Sequence, residues 1–200
     1  MQNREKSLLI AMCIGDGHIV KDPNSKSCSL IIRHSTKQIE WIEKKHELIV
    51  SILGGYVPKL TKFNNSGYPG IRFSKSSKYF RVLRKWIYPN NKKNISRYIL
   101  NKLDEEGIAI WYMDDGGLSA KRRNGKIHAY NLFLNTHLTI EENQIIINYF
   151  KEVWDINFQQ VKNKGHYRLR MGTKEIRKFI PLISKYIIPS MQYKITMNFN

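Results

Sequence analysis

The sequence predicts an α+β fold made of two similar halves, and three observations carry that expectation. First, a nine-residue segment, an apolar run closed by aspartate and glycine, occurs at residues 9–17 and again at 108–116. Its two aspartates, Asp16 and Asp115, are 99 residues apart. Second, Lys85-Trp86-Ile87-Tyr88-Pro89 returns 100 residues later as Lys185-Tyr186-Ile187-Ile188-Pro189, and a lysine, Lys93 or Lys194, follows each proline. Third, helical and strand periodicities alternate in the same order in both stretches. A repeat this long describes a duplicated domain, not a solenoid.

Each half reads as motif helix, hairpin, helix, hairpin, helix. In the first, residues 18–20 and 28–34 flank the turn cluster Asp22-Pro23-Asn24-Ser25. Residues 39–53 follow as an amphipathic helix with Ile39, Ile42, His46, Ile49 and Leu53 at helical spacing. Residues 56–63 and 70–74 form a hairpin around Asn64-Asn65-Ser66-Gly67, and 78–88 a helix closed by Pro89. In the second half, residues 118–122 and 126–136 flank Asn124-Gly125, a strong hairpin signal. A helix over 140–154, a hairpin of 158–162 and 166–171 around Asn163-Lys164-Gly165, and a helix over 173–187 complete it. Residues 90–103 join the halves without a Pro/Gly/Ser-rich linker.

Composition sets the class of partner. The 34 Lys and Arg residues outnumber 16 Asp and Glu, for a net charge of +18. With 42% hydrophobic and 12% aromatic residues the chain can bury a core, so the charge fits a folded polyanion binder better than a basic tail, with a ribosomal or generic basic protein as the alternative. Cys13 and Cys28 offer neither a disulfide framework nor zinc-ligand spacing, and Cys13 reads as core. The apolar stretch 8–14 is too short to span a membrane and runs straight into Asp16, so neither a secretory signal nor a membrane partner is expected. An organellar import peptide is not expected either, because the first motif starts close to the N-terminus.

The two motif helices would each deliver a carboxylate at a C-terminal end. Asp104 reads as N-cap of the second, with Glu105 and Glu106 in its first turn, and Gly17 and Gly116 as left-handed C-caps. An aspartate at the negative end of a helix dipole costs about 0.3–1 kcal/mol, and a bound divalent cation reverses that sign. Ala11 and Gly15 in one helix, and Ala109 a turn before Met113 in the other, would let the two approach closely. Side by side, the helices would make neighbours of Asp16 and Asp115. Without a cation one carboxylate would stay protonated; with Mg²⁺ both become hard oxygen ligands.

These residues resemble the LAGLIDADG homing endonucleases. Both nonapeptides match the family motif in length, apolar pattern and penultimate Asp followed by Gly. Trp111-Tyr112-Met113-Asp114-Asp115-Gly116-Gly117, Leu134-Asn135-Thr136 and the segment 189–194 are similar to the single-chain, two-motif branch that includes the mitochondrial omega-intron endonuclease. The resemblance implies two pseudo-symmetric αββαββα halves, 1–98 and 99–200, packed through the motif helices, each offering a saddle-shaped antiparallel sheet to DNA. It implies a functional monomer that cuts both strands of a long asymmetric duplex across the minor groove. Asp16 and Asp115 match the metal-binding aspartates, with Gly15 and Asp114 beside them in the candidate metal set. Asp114 fits equally a place in the interface or behind the ligands. The cofactor implied is Mg²⁺, with Mn²⁺ or Ca²⁺ able to occupy the same sites. Lys93 and Lys194 match the active-site lysines, although Lys92 adjoins Lys93 and is an alternative. The motifs depart at position six, Ile14 and Met113, where the family name spells Asp.

Base reading would come from strand faces, since alternate side chains share a face. With Tyr167, Leu169 and Met171 packed inward, Arg168 and Arg170 project; with Ile71 and Phe73 inward, Arg72 projects; Arg33, beyond Ile32, is similar. Lys59, Lys62, Arg122 and Lys126 fit phosphate contact better. Two other functions suit the same features: an intron maturase, with intron RNA as partner, and a DNA-binding regulator that does not cut.

Overall fold

The computed structural model describes residues 1–21 and 27–199; the turn cluster at 22–25 lies outside the described residues. In chain order the first half contains α1 (Asn3–Ile14), β1 (His18–Lys21), β2 (Cys28–Ser35), α2 (Ile39–Leu53), β3 (Thr61–Asn65), β4 (Tyr68–Ser77) and α3 (Lys78–Ile87). A short α4 (Arg97–Leu100) lies in the link. The second half contains α5 (Glu105–Asp115), β5 (Gly116–Arg123), β6 (Lys126–Leu134), α6 (Ile140–Trp154), β7 (Gln159–Asn163), β8 (His166–Gly172) and α7 (Thr173–Ile183). The architecture is α+β, with two antiparallel four-stranded sheets ordered β1-β2-β4-β3 and β5-β6-β8-β7. Among the described residues no helix is long and apolar enough to cross a membrane.

Strand alternation fixes which face of each sheet is covered. In β2, Cys28, Leu30, Ile32 and His34 are buried and Arg33 and Ser35 exposed. Helices α2 and α3 cover the apolar face of the first sheet, and α6 and α7 that of the second. Ser66-Gly67, Asn124-Gly125 and Lys164-Gly165 turn three hairpins with φ positive at both residues, as a two-residue turn matched to strand twist requires.

α1 and α5 are buried on every side from Ser7 to Ile14 and from Gly107 to Met113, so they form the centre of the molecule. They run in the same direction at very short range. A Cβ on Gly107 would overlap the Ser7 hydroxyl at one end, and a Cβ on Gly15 would overlap the Asp114 carboxylate at the other. Asp104 caps α5, accepting from Gly107 N at 2.9 Å, and also accepts from Ser7 Oγ at 2.6 Å across the interface.

Four expectations need correction. Gly17 and Gly116 are not left-handed caps, because neither has positive φ. The chain passes straight into strand, and glycine is needed there for room: a Cβ would strike the Met12 carbonyl at Gly17 and the Tyr112 ring at Gly116. Residues 56–60 are not strand. Gly54 and Gly55 (φ 60° and 66°) turn the chain, Lys75 Nζ donates to the Gly54 and Tyr56 carbonyls, and the His46 ring donates to that of Pro58. Side chains thus take the carbonyls that a neighbouring strand would need. The last helix stops at Ile183, where Pro181 has removed one backbone donor and a tight 3₁₀ turn, Ser184–Tyr186, follows. The buried stripe of α2 is Trp41, Ile42, Lys45 and Ile49, rotated away from His46 so that it takes in a lysine.

Candidate active site

Because α1 and α5 abut in the same sense, their C-terminal ends open on one surface. Asp16 and Asp115 both line a cavity of about 1020 Å³ there, together with Gly15, Lys92, Lys93 and Asn135. Burial, and then the Asp114 charge, raise the Asp16 carboxyl above its ordinary value. Asp115 is pushed up to about 7 by burial, then by Asp114 and Asp16. Two acids that resist ionisation at a negative helix end form a donor set that a divalent cation would stabilise.

Two lysines close the helix ends in parallel fashion. Lys93 Nζ donates to the Ile14 and Gly15 carbonyls at 3.0 and 2.7 Å. Lys194 Nζ donates to the Met113 and Asp114 carbonyls at 2.5 and 3.4 Å. Each ammonium therefore sits on the last carbonyls before an aspartate, where the helix dipole favours a cation. Burial lowers both lysines from their ordinary value while the nearby carboxylates raise them. Lys92 is exposed at the cavity edge.

The two aspartates are fixed differently. Trp111 Nε1 donates to Asp115 Oδ2 at 2.9 Å, and Asn135 binds the Asp115 carbonyl through its backbone and side-chain nitrogens at 3.0 and 2.9 Å. Asp16 has its side chain 40% exposed and its backbone N–H on Asp114 Oδ2 at 3.0 Å.

Asp114 is fully engaged elsewhere. Its side chain has no exposed surface; Oδ1 accepts from Lys45 Nζ at 2.5 Å and from Trp41 Nε1 at 2.8 Å, while Oδ2 accepts from Asp16. These bonds place the Asp114 side chain inside the helix interface. Lys45 is itself fully buried and donates to His34 Nε2 at 3.0 Å. Burial, and then Lys45, hold His34 down at about 4, so its ring is neutral. Trp41, Lys45, His34 and Trp111 were not singled out from sequence. Lys45 had a signal: Ile42, Lys45 and Ile49 share one helical face, and an acid inside an apolar interface helix requires a buried partner.

The helix-free sheet faces carry the arginines. Arg33 and Arg72 are exposed and directly opposite each other on β2 and β4. Arg168 lies over the Phe133 ring at 3.7 Å with its buried Nε unpaired, and Arg170 bonds Gln159 Oε1 at 2.6 Å. Arg33 opposite Arg72 repels by about 0.2–1 kcal/mol, a cost that a polyanion would remove. Lys59, Lys62, Arg122 and Lys126 are exposed before and within β3 and around the β5–β6 turn.

Fold and site together define a DNA endonuclease. A family model described as the LAGLIDADG DNA endonuclease family matches residues 6–179, and the chain belongs to that family. It is 31% identical over 204 residues to a probable intron-encoded endonuclease 1 of Wickerhamomyces canadensis, covering 97% of this chain and 84% of that one. The structure of the homing endonuclease I-WcaI bound to its DNA recognition sequence superposes with a TM-score of 0.81 at 28% identity, over 98% of this chain and 88% of that one. I-DmoI, solved in complex with DNA and Mn, shares the fold (TM-score 0.58, 12% identity, 93% and 99% coverage).

Proposed function

We propose that this chain is a homing endonuclease that hydrolyses both strands of a long, asymmetric DNA duplex as a monomer, with Mg²⁺ as its working cation. The observation that carries this is the meeting of Asp16 and Asp115 on one cavity at abutting helix ends. The halves 1–98 and 99–200 act as the two arms. Relatives of the same fold solved with DNA and Mn or Mg support a divalent cation. Mg²⁺ in particular rests on the all-oxygen donors, which suit a hard ion.

Asp16 and Asp115 hold the cations; the Gly15 carbonyl keeps a free lone pair beside Lys93 and can add a ligand. Asp114 acts as an anchor for Asp16. When bound, the cations supply a nucleophilic water and neutralise charge on the scissile phosphate. Lys93 and Lys194, pinned to the helix ends, present positive charge where the phosphorane develops. Lys92, at the cavity edge, meets phosphate. Arg33, Arg72, Arg168 and Arg170 read base edges in the major groove, while Lys59, Lys62, Arg122 and Lys126 hold the backbone.

The test is cleavage of a randomised duplex library with and without Mg²⁺, with the products sequenced. Double-strand breaks at one sequence, lost on chelation, are expected. Specific binding without cutting, or action on RNA alone, would overturn the proposal.

A further inference from the structure

We propose that His34 and Lys45 are positioning residues for the Asp16 site alone, so that the two strands of a duplex depend unequally on this pair. The inference rests on the endonuclease reading above.

A chain of contacts runs from the Asp16 backbone through Asp114 and Lys45 to His34, whose ring lies beside the Asp16 carboxylate. The Asp16 N–H donates to Asp114 Oδ2 at 3.0 Å, and Asp114 Oδ1 accepts from Lys45 at 2.5 Å. Lys45 continues to His34 Nε2 at 3.0 Å. An ammonium can only donate, so Nε2 must offer its lone pair and the ring proton must sit on Nδ1. That N–H donates to Gln38 Oε1 at 3.1 Å, and Asp16 Oδ2 lies 3.6 Å away, beyond hydrogen-bond reach. One chain of buried groups thereby fixes the backbone of Asp16, and the neutral His34 ring packs beside its carboxylate without a hydrogen bond to it. Groups in the shell behind a metal ligand that fix its position typically change metal affinity by about 10–100-fold.

The chain of contacts is one-sided. The residue before Asp16 is Gly15, where α5 has Asp114. The seventh residue of α2 is Lys45, and the seventh of α6 is Ile146, buried and apolar. Asp115 is held instead by Trp111 and Asn135. Ligand atoms of Asp16, His34 and Asp114 lie within 4.8 Å of one another and could be taken for a metal triad. The Lys45 ammonium already bonds two of the three, so it fills the place of that cation.

The test uses the full chain and a duplex target selected with the wild type, with each strand labelled separately. If the wild type cuts no duplex, the endonuclease reading fails first and by itself. Given cutting, His34→Leu should slow one strand about tenfold or more and the other less than about twofold, so that nicked duplex accumulates. Mn²⁺ titration of the complex with an uncleavable phosphorothioate duplex, followed by electron paramagnetic resonance, should show one of two sites weakened about fivefold or more. His34→Gln, which keeps a donor and an acceptor, should lose about two- to fivefold on that same strand, and it carries the test if His34→Leu does not fold. Lys45→Met combined with Asp114→Asn should show the same strand bias. Equal slowing of both strands, no slowing, or two unchanged Mn²⁺ sites would overturn the proposal.

Discussion

Asp16 and Asp115 leave equivalent helix ends beneath equivalent lysines, yet their surroundings differ. Asp115 is deeply placed, tied by an indole N–H, and its carboxyl is pushed up to about 7. Asp16 keeps 40% of its side chain exposed and is tied through its backbone to Asp114 of the other half. The lysines differ as well: Lys194 is 7% exposed, and Lys93 is half-buried on the cavity wall. The comparison teaches that the duplicated feature is the backbone frame, namely helix end, lysine clamp and strand exit. Side chains behind each carboxylate have diverged, and one half borrows its polar support from its neighbour.

Removing either carboxylate should have the largest effect. Asp16→Asn and Asp115→Asn are each expected to lower double-strand cleavage about a thousandfold, the upper end for losing one electrostatic group, with specific binding retained in gel-shift assays. Cutting retained by either variant would remove that residue from the metal site.

The next effect tests whether the cross-half tie is structural. Lys45→Met leaves Asp114 buried without its cation and should cost about 3–5 kcal/mol in urea unfolding. Lys45→Met with Asp114→Leu should recover most of that loss, since replacing a whole buried pair is often neutral. A single variant that costs less than about 1 kcal/mol would contradict the one-sided support.

The raised Asp115 carboxyl predicts a pH dependence with a definite sign. Ionisation is disfavoured in the folded protein, so the penalty is fully present above about 7 and is relieved as pH falls toward the ordinary value. Asp115→Asn should therefore raise the stability of the metal-free protein above pH 7 by at most about 4 kcal/mol, a gain that disappears near pH 4. His34, held down at about 4, works in the opposite sense, losing stability as pH falls below its ordinary value. The difference between variant and wild type isolates Asp115. Cation binding must displace the Asp115 proton, so apparent affinity should fall about tenfold per pH unit below 7. A flat profile would contradict the assigned burial.

Smaller effects belong to the sheet faces. Arg168→Ala should relax preference at one or two base positions by about 1–3 kcal/mol in binding to single-substitution targets. A uniform loss over all targets would assign Arg168 to phosphate. Arg33→Ser should raise thermal stability of the free protein at low salt by about 0.2–1 kcal/mol, because it removes repulsion from Arg72.

Much of this frame was legible in the sequence because it depends on local rules. The Asn124-Gly125 turn, the alternating β2 strand and the Asp104 cap each follow from a few neighbouring residues. That Asp16 and Asp115 open on one cavity was legible through the repeat and the small residues Gly15 and Ala11. His34, Trp41 and Lys45 were not, because their partner is 69 or more residues away or lies behind another side chain. A lysine in α2 reads as solvated until Asp114 is brought against it. The Gly17 and Gly116 caps failed for a related reason: what those positions need is clearance from Met12 and Tyr112, a tertiary demand, and not a left-handed backbone.

The most direct measurement is the anomalous signal of Mn²⁺ in crystals of the protein bound to its duplex. The account predicts peaks at the α1 and α5 ends, coordinated by Asp16 and Asp115 and by scissile phosphates, with Lys45 still on Asp114. A peak among Asp16, His34 and Asp114 with Lys45 displaced, or none at the helix ends, would contradict it.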